Sequence, residues 1–345
     1  KDYANTWDNN SVTVTPNGSD KIGGSVGSAN LSTESQSVTL IFADSTKGWL
    51  DIHDSTSNVQ SAQYITATGG TVTCTGDFKI HTFTGPGTFC VSNAGNAAGS
   101  NKVDYMVVAG GGGGGGRDHG SGGGAGGYRE SPGSASCYAA SPLGVSPAVA
   151  LSVPATAYPI TVGGGGAGRT AQPCSSGTSG ANSVFSTITS AGGGAGGGGP
   201  GVGLDGGSGG GGKNNNTQKG SGNTPSVSPP QGNDGGIAGY GSPHYGMGGG
   251  GGAGAAGSAG NPSAGGAGGG GVTSSINGTP TARAGGGGGS SYNGGTAGAG
   301  GAGGGGTGTT GQNTNGTAGT CNTGGGGGGG ERSVPSVGGK NGGSG

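Results

Sequence analysis

The stretch "VVAGGGGGGGRDHGSGGGAGGYRES" (residues 107–131) runs from an apolar, strand-like segment directly into seven consecutive glycines. The whole chain has 345 residues and 102 glycines, of which 12 lie in residues 1–109 and the other 90 in residues 110–345. The share of glycine in the second part is several times the usual one of about 7%. This change in composition predicts a domain boundary at Gly110. We therefore expect a β-rich module over 1–56, a β-strand module over 57–109 and a glycine-rich domain over 110–345.

The part before the boundary has the alternating pattern of β-strands. "SVTVTP" (11–16) and "SVTLIFADSTKGW" (37–49) place apolar residues at every second position, the period of a strand. Further short strands separated by glycine-bearing turns are predicted over 64–91, and "KVDYMVVAG" (102–110) predicts one nearly continuous strand. Nine of the 16 aromatic residues lie before residue 110, so we expect a side-chain core there. No helical periodicity is visible.

The glycine tracts have two physical outcomes, disorder or an ordered lattice. Glycine favours disorder because it loses the most backbone entropy on ordering. The alternative is a left-handed extended helix with three residues per turn, whose N–H and C=O groups all need partners outside the helix. Rods without Cβ atoms can approach closely enough to bond one another. The lattice is favoured because the residues that interrupt the tracts are small, namely Ala125, Ala167, Ser208, Ala253, Ala267 and Ala302.

The predicted fold is thus a β-rich N-terminal module followed by packed polyglycine type II helices (left-handed, threefold) with short β-strands and no α-helix. The G-X-Y period of collagen is not kept. Larger residues cluster between the tracts, which predicts loops, the longest at 213–234 and 312–323. If the tracts alternate in direction, successive loops lie at opposite ends.

Charge and motifs exclude several classes of function. Charged residues are 8% of the chain and the net charge is -1, so a nucleic-acid partner is not expected. No run of 18 apolar residues exists, so membrane insertion is not expected either. Matches to G-x-G-x-x-G, as at 201–206, lack the flanking strand, helix and acidic residue of a nucleotide site. Isolated histidines and the lack of a catalytic triad or carboxylate pair predict no metal, no cofactor and no enzymatic activity.

Five widely spaced cysteines leave two interpretations open. Cys74 and Cys90 are placed so that they could pair across a hairpin, and the alternative is that all five are free, partly buried thiols. The odd number leaves at least one free thiol in either case.

Four stretches in serial order carry a resemblance: "FKIHTFTGPGTFCV" (78–91), "VDYMVVAGGGGGGGRDHGSGGGAGGYRES" (103–131), "YPITVGGGGAG" (158–168) and "SVFSTITSAGGGAGGGG" (183–199). They resemble the glycine-rich domain of bacteriophage tail-fibre and adhesin proteins, in particular the marine phage forms. The segment from Val12 onward is similar to the β-rich module that precedes this domain in tail fibres.

The resemblance implies a receptor-binding protein in the tail fibre of a virion. Its implied partners are a host cell-surface glycan or outer-membrane protein and other tail-fibre or virion proteins. The fusion of the β-module to the glycine domain favours a homotrimer, whereas some tip adhesins are monomers. Two alternative functions are an ice-binding protein, which the long loops disfavour, and a structural extracellular glycine-rich protein, which should show tandem repeats.

Residues in the loops between tracts are the candidates for receptor contact. A tyrosine offers a flat apolar face and a hydroxyl, which suits stacking on a sugar ring. The alternative is that each tyrosine only closes the end of the bundle. The candidates are Arg117, Asp118, His119, Asn214, Asn215, Asn216, Tyr240, His244, Tyr245, Arg283 and Tyr292.

Overall fold

The computed structural model describes residues 1–54, 62–96, 99–116, 119–132, 138–145, 150–169, 176–199, 201–213, 218–239, 241–311, 313–331 and 339–345. Over these residues the chain forms 17 β-strands and no helix, which confirms the predicted β-rich fold. It divides into two compact units, Lys1–Ile65 with Ala94–Asn101 and Thr66–Asn93 with Lys102–Gly345. The domain limits expected at 56 and 109 stay predictions.

The first unit consists of two antiparallel strand pairs. Strand β1 (Val12–Val14) pairs with β2 (Ala29–Leu31), and β3 (Val38–Asp44) pairs with β4 (Gly48–Asp54). Gly48 has a φ of +71°, which explains the glycine in the β3–β4 turn. None of the apolar side chains described in this unit is buried. The expectation of a side-chain core in the first part of the chain is therefore wrong for this unit.

The second unit begins with a sheet that does contain a core. Its five antiparallel strands lie in the order β15-β14-β13-β8-β5. Phe89 is only 6% exposed, and its ring lies 5.1 Å from that of His81 and 6.0 Å from that of Phe185. The strands of this unit are β5 (Thr66–Thr68), β6 (Thr71–Thr75), β7 (Phe78–Thr82), β8 (Gly87–Asn93), β9 (Lys102–Val103), β10 (Tyr105–Val108), β11 (Tyr128–Ser131), β12 (Leu151–Ser152), β13 (Ala157–Thr161), β14 (Ser183–Phe185), β15 (Ile188–Ser190), β16 (Val272–Ser274) and β17 (Thr281–Arg283).

The strand expected over 102–110 is interrupted at Asp104. Strand β9 pairs with β12, whereas β10 pairs with β11. The two halves join different sheets, so the apolar run alone could not reveal the break. Residues 109 and 110 belong to the glycine region and not to the strand.

Beyond β10 the chain forms extended segments, here called rods, whose main-chain groups bond to neighbouring rods. The central rod, 120–127, exchanges hydrogen bonds with six others: 109–116, 191–199, 207–213, 246–253, 284–291 and 324–331. Its amides donate to three of these rods and its carbonyls accept from the other three. The polar main-chain groups therefore replace apolar side chains as the interior of this region.

The bonding of the central rod repeats every three residues. Amides of Ser121, Gly124 and Gly127 donate to carbonyls of the 191–199 rod at 2.7–2.8 Å. Amides of Gly120, Gly123 and Gly126 donate to the 324–331 rod at 2.8–3.0 Å. This is the period of a helix with three residues per turn. The left-handed, polyglycine type II assignment stays a prediction.

Rods at the surface need glycine only at the positions that face the bundle. In the rod 314–320, Gly316 and Gly319 are buried, whereas Thr314, Thr317 and Thr320 are exposed. Rod 176–182 shows the same pattern with Gly177 buried and Thr178 exposed. Within the stretch 312–323, expected as a loop, residues 314–320 therefore form a surface rod.

Successive rods alternate in direction, a point that the sequence left open. Amides of Ala109 and Gly115 bond to carbonyls of Gly127 and Ser121 respectively, so rods 109–116 and 120–127 are antiparallel. We call the end that carries β10 and β11 the strand end and the opposite end the free end. The stretch 213–234 is not one loop, because 218–222 is a rod and Gln231 O accepts from Tyr128 N at the strand end.

Three cysteines lie in the described part of the chain, and each is free and exposed: Cys74, Cys90 and Cys321. The pairing of Cys74 with Cys90 is therefore not adopted, and the expected partial burial is wrong for these three. Cys137 and Cys174 lie outside the described residues. No helix in the described ranges is long and apolar enough to cross a membrane.

Candidate functional site

Three aromatic rings from separate rods meet at the free end. The ring of His119 lies 5.5 Å from that of Tyr245 and 5.3 Å from that of Tyr292, and the two tyrosine rings are 6.4 Å apart. His119 precedes the central rod, Tyr245 precedes rod 246–253 and Tyr292 follows rod 284–291. Because these rods are bonded directly to one another, their ends carry the three rings into contact.

His244 joins the rings through the main chain. Its carbonyl accepts from the amide of Tyr292 at 2.7 Å, and its Nδ1 lies 3.1 Å from the Tyr292 carbonyl oxygen. Two loops that are 48 residues apart in sequence are thereby held together. We call His119, His244, Tyr245, Tyr292 and Glu331 the free-end cluster.

Glu331 lies beside the His119 ring and is 1% exposed. Its Oε2 is 3.3 Å from Nδ1 of His119 and 3.5 Å from Oγ of Ser290. The His119 nitrogen is buried and makes no well-aligned hydrogen bond, so its contact with the carboxylate is mainly electrostatic. Glu331 was not among the candidates predicted from the sequence, although a lone carboxylate at the end of a seven-glycine tract, 324–330, was an available signal.

Two residues of the cluster have unusual backbone conformations. His119 has a φ of +72° and Tyr245 a φ of +43°, a region that residues with a Cβ seldom occupy. Such positions cost about 1–3 kcal/mol each and are found preferentially at binding sites. The lattice holds both residues in these conformations, because each is fixed to a rod whose amides are bonded.

The structure brings together four of the sequence-predicted candidates and separates one. His119, His244, Tyr245 and Tyr292 lie at the free end, and Arg283 lies on β17 at the strand end. Arg283 was expected in a loop between tracts and instead ends a strand, because the sequence does not reveal at which end each rod stops; its role in receptor contact stays a prediction. The remaining candidates, Arg117, Asp118, Asn214, Asn215, Asn216 and Tyr240, lie outside the described residues.

At the strand end, a buried carboxylate joins three segments. Glu130 accepts hydrogen bonds from the Tyr128 hydroxyl at 3.0 Å, the Ser274 hydroxyl at 2.6 Å and the Ser141 amide at 2.9 Å. Burial, followed by the charge of Glu130, raises the pKa of Tyr128 and also that of Tyr138. Burial lowers the pKa of the Arg283 guanidinium. With every oxygen of Glu130 bonded, this network fastens β11 to β16.

A family model described as a glycine-rich domain matches residues 84–345. The chain belongs to this glycine-rich domain family. The match includes the core sheet from β8 onward, the rods and the free-end cluster. Neither the curated proteins nor the solved structures compared with the chain gave a match.

The free end of this glycine-rich domain offers a small surface with an apolar and a polar part. Tyr245, Tyr292 and His119 are each half-buried, so they lie at the boundary between the bundle and solvent. Among the described residues no group of three His, Cys, Asp or Glu side chains could hold a metal ion. The cluster is suited to contact with a flat apolar face that carries hydrogen-bonding groups, as in a sugar.

Proposed function

We propose that this chain is an adhesin of a bacteriophage tail fibre, located in the virion, which recognises the host cell surface through the free end of the rod bundle. The observation that carries the proposal is the convergence of His119, His244, Tyr245 and Tyr292 at one end. These residues come from three separate loops. A host glycan or outer-membrane protein is the proposed receptor, and no catalysis is involved.

The bonded rods suit such a role, since they keep the contact residues in place before the receptor arrives. Preformed loops lose little conformational entropy on binding, which favours affinity. Substitution in a loop leaves the main-chain bonds between rods unchanged, so specificity can vary while the scaffold stays the same.

The scaffold itself is proposed to consist of polyglycine type II helices. The three-residue bonding period supports this assignment. None of the glycines in 110–116 and 122–127 has a positive φ, which agrees with the backbone of the left-handed threefold helix, φ near −75°.

The first unit is proposed as the site of homotrimer formation and of attachment to other fibre proteins. It buries no apolar side chain among its described residues, and Phe42 and Ile52 are 46% and 59% exposed. A two-stranded hairpin is at best marginally stable by itself. Association with two further copies would cover these side chains.

Removal of the Tyr292 ring tests the receptor site. We expect Tyr292→Ala to weaken binding of the purified chain to host cells by at least about tenfold, since aromatic residues at the centre of an interface contribute most of its free energy. Tyr64→Ala is the matched control, because Tyr64 is 67% exposed and belongs to the first unit. Equal cell binding by the two variants would contradict the assignment of the site.

One observation favours the ice-binding alternative. Thr314, Thr317 and Thr320 are exposed at three-residue intervals on one surface rod, a repeat of about 9 Å at 3.1 Å per residue. Thermal hysteresis of the purified chain, abolished by Thr317→Lys, would support this function; no hysteresis would remove it. No observation favours a structural extracellular role.

A further inference from the structure

The buried contact between His119 and Glu331 fixes how the histidine faces a ligand. Nδ1 is the buried ring nitrogen and lies 3.3 Å from the Glu331 carboxylate. The His119 side chain is 20% exposed. Since Nδ1 is covered, Nε2 is the ring nitrogen available to a ligand.

The carboxylate also selects the tautomer of the neutral ring. A negative oxygen at this distance attracts an N–H group and repels a nitrogen lone pair, and burial strengthens the effect. The proton of the neutral imidazole is therefore held on Nδ1, so that Nε2 carries the lone pair. Between two tyrosine rings, the site presents a hydrogen-bond acceptor.

We propose that Glu331 is a positioning residue that sets this tautomer, and that the free-end cluster consequently takes a neutral, hydroxylated sugar ring. This inference rests on the proposed function and names the class of receptor. A sugar hydroxyl donates to Nε2 of His119, and the apolar C–H face of the ring packs on Tyr245 or Tyr292.

The same arrangement disfavours an acidic sugar. Next to the neutral ring, a ligand carboxylate would face the Nε2 lone pair and lie near the carboxylate of Glu331, which is 1% exposed. A described cation at this end, Lys213, directs its Nζ to the carbonyl oxygen of Gly199 at 2.6 Å. Its ammonium group is therefore hydrogen-bonded to the 191–199 rod.

The tautomer is measured directly by ¹⁵N NMR of the histidine rings at pH 8, in a chain with only four histidines. We expect His119 to carry its proton on Nδ1 in the native chain and to shift toward the Nε2–H form in Glu331→Gln. Glu34→Gln, at an exposed position of the first unit, should leave the spectrum unchanged. A native chain with the proton on Nε2 would overturn the proposed role of Glu331, whether or not any variant folds.

The ligand class is tested with galactose and galacturonate, which differ in one carboxylate. We expect titration of the native chain to show binding at least about tenfold tighter for galactose, and Glu331→Gln to reduce this ratio. Preference for galacturonate, or no binding of either sugar, would overturn the inference. If the native chain then still bound host cells and Tyr292→Ala did not, the proposed adhesin function would stand, with a receptor that is not a sugar.

Discussion

At the scale of single residues, the glycines of the central rod are required by the distance between rods. A Cβ on Gly123 would lie under 3.0 Å from backbone atoms of Gly112 and Gly113. These main-chain atoms are held by hydrogen bonds to neighbouring rods, so they cannot move aside to make room for a methyl group as a flexible side chain can. At Gly164, by contrast, a Cβ would meet nothing within 4 Å.

These two positions give a matched pair of substitutions. We expect Gly123→Ala to lower the free energy of unfolding by about 3 kcal/mol, the upper range for overpacking. Gly164→Ala should change it by less than about 1 kcal/mol, and in the stabilising direction, because alanine restricts the unfolded chain. Chemical denaturation measures both, and equal effects would contradict a lattice held at main-chain contact.

The buried tyrosine at the strand end predicts a loss of stability at alkaline pH. Burial and Glu130 raise the pKa of Tyr128, so the folded state keeps its proton after the unfolded state has ionised near pH 10. The stabilising contribution is complete below about pH 10 and falls as pH rises from there toward the raised pKa. Unfolding free energies at pH 8 and 11 should differ less in Tyr128→Phe than in the native chain; an unchanged difference would exclude Tyr128 as the cause.

Individual residues of the candidate site were predictable from the sequence only where their residue type was informative. Tyr245, Tyr292 and His119 stand out because aromatic residues are rare among glycines. Glu331 was missed because a single carboxylate has no partner in the linear sequence; its contact with His119 depends on two rods ending side by side. Whether Arg283 lies at the strand end or at the free end depends on how many times the chain reverses direction before it.

At the scale of elements, alternation of apolar residues correctly predicted strands such as β1, β3 and β6. The density of glycine in the sequence predicted the inner rods but did not predict surface rods such as 176–182 and 314–320. The physical reason is that an inner rod has neighbours on all sides, whereas a surface rod excludes Cβ atoms only toward the bundle. Glycine at every third position suffices there.

The last rod, 339–345, supplies hydrogen-bond acceptors for the first rod, 109–116. Its Gly343 and Lys340 carbonyls accept from the amides of Gly111 and Gly114. Deletion of residues 332–345 should therefore accelerate hydrogen exchange of these two amides by at least about tenfold, since each loses its partner.

The central rod supplies the internal control for this deletion. The Gly122 amide donates to Gly248 and has no bond to the last rod. Its exchange should stay slow in the truncated chain. Equally rapid exchange at Gly122 would mean that the whole bundle had unfolded and that the effect was not local.

At the scale of the whole molecule, the alternation of rods divides the loops into two sets, one at each end of the bundle. Replacing 241–245 with glycine and serine removes His244 and Tyr245 from the free end, whereas the same replacement of 276–280 alters a turn at the strand end. We expect only the first change to abolish binding to host cells, as measured by a cell-binding assay. Loss of binding in both variants, with both still folded, would contradict recognition by the free end.

The threefold bonding of the rods also limits how the bundle can change length over evolutionary time. In the central rod, amides that donate to the same neighbouring rod are three residues apart. Gain or loss of one or two residues inside a rod would rotate the rest of that rod by one or two thirds of a turn. Each following amide would then no longer point at its acceptor. We therefore expect insertions inside a rod to add three residues at a time, that is nine nucleotides, together with equal insertions in the rods bonded to it. The loops at the hairpin tips should accept insertions of any number of codons.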